Sequence, residues 1–138
     1  MSKVSVSMQL GASAERVWQV AGGFQGLMDW AGGLQSSTPE QGGRVRRLVT
    51  DDGAVIVERL EAFNDSEKFY SYSIVASPLP VTNYQSTLKV IPVFGQEQCV
   101  VEWTSNFYPA AEAEAQMEAL FTSIYQGSLE ELKRTLGI

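Results

Sequence analysis

The sequence predicts an α+β fold in which a curved, seven-stranded antiparallel sheet wraps a long C-terminal helix, in the order β-α-α-β6-α. Three observations predict it. Residues 82–90 alternate, with Thr82, Tyr84, Ser86, Leu88 and Val90 on one face and Asn83, Gln85, Thr87 and Lys89 on the other. Turn signals, Asp51-Asp52-Gly53 and Asn64-Asp65-Ser66, separate further runs of this kind. Finally, a stretch of strong helix formers opens at Pro109 and continues to about Leu136. A sheet curled around one helix does not close its core fully, so a hollow is expected between them.

Each element has its own warrant. Residues 3–8 form a first strand with Val4, Val6 and Met8 on one face. Ser13 is an N-cap, although Arg16 breaks the capping-box pattern; the helix carries Val17, Trp18 and Val20 and ends at Gly22-Gly23. A second short helix spans 25–30 and is closed by Gly32-Gly33. From Leu34 onward come six strand candidates. Ser77-Pro78-Leu79-Pro80 is a connection, because two prolines remove two ladder donors, and Gly95 marks the next turn. The last strand, 98–107, points Cys99, Val101, Trp103 and Phe107 inward and Gln98, Glu102 and Asn106 outward. On the final helix, Met117, Leu120, Phe121, Ile124, Leu132 and Leu136 form an apolar stripe. Acidic residues near its start and Lys133 and Arg134 near its end complement the helix dipole. Gly127 and Ser128 interrupt the stripe, either for close approach to the sheet or to leave room for a ligand; on the second reading Gly127→Leu blocks binding.

Composition narrows the function. The chain's 138 residues suit one domain spanning 1–138, and 44% hydrophobic residues suffice for an ordinary core. A net charge of -6 argues against nucleic acid and anionic membrane surfaces as partners. Arg44, Arg46 and Arg47 cluster, but in a strand, where neighbours point to opposite faces and a solvated face accounts for most of them. Cys99 is alone in an apolar strand pattern, a buried inert thiol. With no apolar run long enough to span or be inserted in a bilayer, a soluble protein of a reducing, cytoplasmic compartment fits, as a monomer or weak homodimer. Histidine is absent, which excludes Ser-His-Asp and Cys-His machinery and imidazole metal ligands; no metal site or cofactor is expected, and no phosphate-binding glycine motif occurs.

The candidate site comes from strand parity. In 54–63, Arg59 and Glu61 want water, which places Ile56, Glu58 and Leu60 inward. A buried carboxylate needs a partner or a raised pKa. If Asp51-Asp52-Gly53 is a three-residue loop, Arg46 lies opposite Glu58; a two-residue loop places Arg47 there. The pair is either an ion pair stiffening the sheet or a polar spot orienting a ligand. Tyr72, Tyr84 and Ser86 are its hydrogen-bonding neighbours, or core groups with backbone partners. Trp103 and Phe107, with Phe121 and Ile124 of the helix, give apolar walls, while Trp30 either lids the mouth or closes one end of the core.

The order of elements resembles the START-like, Bet v 1-like (SRPBCC) superfamily with its helix-grip fold, and within it the polyketide cyclase/dehydrase-type group. AERVW on the first helix, Phe24 and Trp30, the ERL of 58–60, Asp65, Tyr72-Ser73-Ile74, Asn83-Tyr84 and Trp103 carry that resemblance. It implies a small hydrophobic, lipid-like ligand held between sheet and helix, and, for some members, cyclisation or dehydration of polyketides. Residues 58–86 also resemble the plant abscisic acid receptors, in which residues matching Glu58, Tyr84 and Ser86 line a hormone pocket. The receptors' longer gate loop is replaced here by Asp51-Asp52-Gly53 and their latch by Pro78-Leu79-Pro80, so only a shared pocket position carries over.

Three functions follow as expectations. The first is a carrier or sensor of a small, largely apolar ligand, oriented by Arg46 and Glu58. The second is a cyclase or dehydratase with Glu58 as general base and Arg46 or Tyr84 stabilising an enolate. The third is a partner-regulating, co-chaperone-like domain, which calls for an exposed apolar patch that the polar outward positions do not supply.

Overall fold

Strand β1 (Ser2–Leu10) turns Val4, Val6, Met8 and Leu10 inward and exposes Lys3, Ser5, Ser7 and Gln9, the alternation that lets one face meet a core. The coordinates are a computed structural model describing all 138 residues. Helix α1 (Ala14–Ala21) follows, with the Ser13 hydroxyl accepting the Arg16 N–H at 3.2 Å. Arg16 takes no part in a capping box; its guanidinium donates to the Leu136 carbonyl at 2.7 Å and ties the first helix to the end of the last. The expected helix at 25–30 is instead a run of 3-10 turns, Phe24–Asp29, because Gly26 leaves helical geometry and six residues are too few for a free-standing α-helix.

The remaining strands are β2 (Leu34–Glu40), β3 (Val45–Thr50), β4 (Val55–Asn64), β5 (Phe69–Ala76), β6 (Val81–Pro92) and β7 (Cys99–Pro109). All pair antiparallel in the order β1-β7-β6-β5-β4-β3-β2. The first strand thus meets the last, and α1 with the 3-10 run carries the chain across to the far edge. Between β3 and β4 the loop is the three-residue one: Thr50 and Ala54 bond to each other, Gly53 adopts φ +89°, and the register sets Arg46 opposite Glu58.

Two element details depart from the sequence reading. Thr82 is exposed rather than inward, because Asn83 takes a left-handed φ of +52° and the β6–β7 register shifts between Thr82 and Gln85. Such a bulge resets the alternation, so only Tyr84, Ser86, Leu88 and Val90 face the core. The long helix also starts later than Pro109, which is the last residue of β7 and pairs with Val81. The Ala110 N–H still bonds the Pro80 carbonyl, a 3-10 turn (Ala111–Ala113) follows, and α2 runs Glu114–Leu136. Gly137, at φ +73°, ends it in a left-handed cap with bonds back to Arg134 and Lys133.

Helix α2 lies in the concave face of the sheet. Tyr125 stacks on Trp103 with ring centroids 4.6 Å apart, and Phe121 meets Phe107 edge-on at 5.0 Å. At the other end of the core the Trp18 indole N–H donates to Asp65 at 2.8 Å, fastening α1 to the β4–β5 turn. No helix is long and apolar enough to cross a membrane.

Candidate functional site

The hollow exists, as a cavity of about 140 Å³ between α2 and the concave face of β3 to β7, with a mouth beside Gly32-Gly33. Of its 19 lining residues 13 are hydrophobic, so its walls suit an apolar body. A cavity of this size holds about one six-membered ring.

Seven of the ten residues expected from sequence lie on its lining: Arg46, Glu58, Tyr72, Tyr84, Trp103, Phe121 and Ile124. Three do not. Ser86 sits behind Trp103, accepting its indole N–H at 3.0 Å and donating to the Thr104 carbonyl at 2.8 Å. Phe107 is buried between Tyr84 and Phe121. Trp30 is no lid: it is buried against Trp103, ring centroids 5.8 Å apart, and closes the core.

Ile124 is on the lining but 41% exposed, so it borders the mouth rather than forming an inner wall. The inward positions are Tyr125, one helical turn after Phe121, and Ser128, another turn on. A stripe of apolar residues at a spacing of three includes Ile124; the helix actually buries Met117, Phe121, Tyr125, Ser128, Leu129, Leu132 and Leu136. The spacing of that buried set was the available signal for Tyr125 and Ser128. Gly127 does not serve close approach to the sheet, and the open space it borders is a shallow recess shared with Gly32, Gly33, Ile124 and Ser128 rather than the cavity itself. Gly127 is exposed, with nothing within 4 Å of where a Cβ would stand, so Ser128, 6% exposed, is the position where added bulk enters the cavity.

One end of the cavity is polar, and β3 and β4 build it. Arg46 donates through Nε to Glu58 Oε1 at 2.8 Å and through Nη1 to the Phe24 carbonyl at 2.7 Å. The ring of Phe24 covers the guanidinium at 4.1 Å and that of Tyr72 at 4.8 Å. Burial alone would make Arg46 easier to deprotonate; the charge of Glu58, with Tyr70 and Tyr72, more than offsets this and holds it charged. Burial raises the Glu58 carboxyl above its usual range, against the opposing pull of Arg46. Glu58 Oε2 takes no protein hydrogen bond and remains open to the hollow.

Two hydroxyl groups complete this end. Tyr72 Oη accepts the Trp103 indole N–H at 3.1 Å, which leaves its own proton to donate. The hydroxyls of Tyr84 and Tyr125 bond to one another, so whichever accepts retains a proton for a third partner. Burial pushes Tyr72 and Tyr84 well above the usual phenol range and Tyr125 up to about 12, so all three remain neutral donors. No group of three or more His, Cys, Asp and Glu side chains is placed to hold a metal ion.

Residues 1–137 match the family described as polyketide cyclase/dehydrase and lipid transport. The chain belongs to that family. Its START-like, Bet v 1-like character and the helix-grip arrangement read from the sequence are therefore those of a polyketide cyclase/dehydrase family member. Among solved structures, XoxI from Bacillus cereus is 42% identical, with 99% of this chain and 96% of that chain covered and a TM-score of 0.94. An uncharacterised protein from Bacillus thuringiensis is 41% identical, covering 99% of this chain and 100% of that chain, with a TM-score of 0.93. Norcoclaurine synthase from Thalictrum flavum, solved with dopamine and hydroxybenzaldehyde, is 16% identical over 96% of this chain and 84% of that one; its TM-score of 0.78 speaks to fold alone. No curated protein matches the chain. At the level of the family, the chain is a ligand-binding or cyclase-type domain.

Proposed function

We propose that the protein binds a small, largely hydrophobic ligand in the cavity between sheet and C-terminal helix, as a carrier or sensor in a reducing, cytoplasmic setting. The observation that carries this reading is the contrast within one lining: 13 hydrophobic residues form the walls, and Glu58 presents an unbonded carboxylate oxygen at one end. Burial of an apolar body with one oriented polar group suffices for micromolar affinity. Glu58, held in place by Arg46, orients the polar end; Tyr72, Tyr84 and Tyr125 offer hydrogen bonds; Trp103 and Phe121 give the apolar contacts.

Catalysis is the second reading, and the raised carboxyl of Glu58 favours it. A carboxyl displaced above its usual range, facing a largely apolar cavity beside three neutral phenolic donors, has the parts for taking a proton next to a carbonyl and steadying the resulting enolate. The pairing of Glu58 with Arg46 opposes this, because it weakens the base. The cavity also admits about one ring in this conformation, less than an extended polyketide needs.

The test is native mass spectrometry of the protein purified from its own source, set against the denatured mass, for the wild type and for Ser128→Leu. A mass excess lost on denaturation and absent from the variant is the expected result. An excess that survives Ser128→Leu puts the ligand outside this cavity.

A further inference from the structure

Resting on that reading of the cavity, we infer that its polar end selects ligands by charge: it takes a single-ring molecule ending in a hydrogen-bond donor, a hydroxyl or an ammonium, and excludes a carboxylate. A buried Arg beside a cavity ordinarily suggests the opposite, a site for anions. The geometry here removes that option. Arg46 is 0% exposed, its Nε and Nη1 are spent on Glu58 and the Phe24 carbonyl, and the rings of Phe24 and Tyr72 cover the guanidinium.

Its remaining nitrogen, Nη2, is sealed and without a partner, and so is the hydroxyl of Tyr70, which interacts with the guanidinium from off the cavity lining. Although Arg46 borders the cavity, its guanidinium is covered and has no accessible N–H to offer a ligand, whereas its counter-charge, on Glu58, is open to one. Arg46 is permanently charged and Glu58 is the one acidic group it contacts, so ionised Glu58 is the state that neutralises it. What the ligand meets is Oε2 of Glu58, an acceptor, with hydroxyls of Tyr72, Tyr84 and Tyr125 that accept or donate as required. An incoming carboxylate would face like charge at close range in a hollow with mostly apolar walls, whereas a hydroxyl or ammonium completes the lone pairs that Glu58 has left.

The test uses four probes of one ring each: toluene, benzyl alcohol, benzylammonium and benzoate. They are titrated calorimetrically at neutral pH into the wild type and Glu58→Gln. The expected order is benzyl alcohol and benzylammonium at least tenfold tighter than toluene, with benzoate at least tenfold weaker than toluene. In Glu58→Gln the gap between benzylammonium and benzoate closes by about tenfold or more. Benzoate binding as tightly as benzyl alcohol, or toluene as tightly as both donors, overturns the charge selection while leaving the cavity a binding site. No heat from any of the four, toluene included, overturns the binding reading and this inference with it. Should Glu58→Gln fail to fold, the wild-type order decides alone.

Discussion

Arg46 and Glu58 face each other across the β3–β4 hairpin, joined Nε to Oε1 at 2.8 Å, with Arg46 wholly enclosed and Glu58 open only to the cavity. Glu58 is the one anion that Arg46 has, and Arg46 the one cation that Glu58 has. Breaking such a pair strands a buried charge, while replacing both partners by apolar groups often costs little.

Arg46→Met should therefore destabilise the fold by about 3–5 kcal/mol in urea unfolding, and Arg46→Met with Glu58→Leu should recover most of that loss. A single-variant cost below about 1 kcal/mol would show that Glu58 does not depend on Arg46 for its charge balance.

The raised carboxyl of Glu58 makes a prediction about pH. Its folded-state value lies above the ordinary 4.5, so the folded protein binds this proton more tightly than the unfolded chain does. The stabilisation from this group is complete below about 4.5 and is lost as pH rises through its raised folded value. The stability of wild type relative to Glu58→Gln should accordingly fall on going from pH 4 towards neutrality, read from urea midpoints at each pH. A difference that grows over that interval contradicts the assignment.

Glycines 22 and 127 should respond in opposite directions to alanine. At Gly127 the new methyl meets open space on an exposed helix face, so Gly127→Ala should stabilise by about 1 kcal/mol and leave ligand affinity unchanged. At Gly22 a Cβ would stand 2.5 Å from the Trp18 ring and 2.7 Å from its carbonyl oxygen. Gly22→Ala should lower the thermal midpoint, since the C-cap of α1 or the Trp18 ring has to shift. A midpoint unmoved by Gly22→Ala would mean that Trp18 is looser than its bond to Asp65 implies.

Tyr84 and Tyr125 share one hydrogen bond, so their losses should not add. Each single Phe variant should cost about 1 kcal/mol, and the double variant little more than either. Tyrosinate absorbance adds a second readout. The Tyr125 phenol, raised to about 12, contributes stability that is intact below about 10 and lost as pH climbs through about 12. Removing Tyr125 should abolish the ionisation step there.

While the family came from the resemblance of particular motifs, the order of strands along the chain and the inward set of β4 were legible in the sequence, because period-two alternation and turn chemistry are local properties. So was the facing of Arg46 and Glu58, once the loop was taken as three residues, since hairpin register follows loop length. Thr82 was misplaced because the Asn83 bulge, one residue in a left-handed conformation, inverts a pattern that sequence alone shows as unbroken. Tyr125 is absent from an apolar stripe read from sequence because a Tyr is amphipathic; its place is fixed by stacking on Trp103 and by the hydroxyl bond to Tyr84.

By itself, then, the sequence determined the class of a curved sheet wrapped around a C-terminal helix, an arginine facing Glu58 across a hairpin and the lack of imidazole chemistry, all consequences of residue type and short-range spacing. Tertiary structure alone decided which of the expected residues line the cavity, how small that cavity is, and that the Arg46 guanidinium is covered by Phe24 and spent on Glu58. Those facts depend on side chains from β3, β4, β6, β7 and α2 competing for one volume, and no local pattern encodes the outcome of that packing.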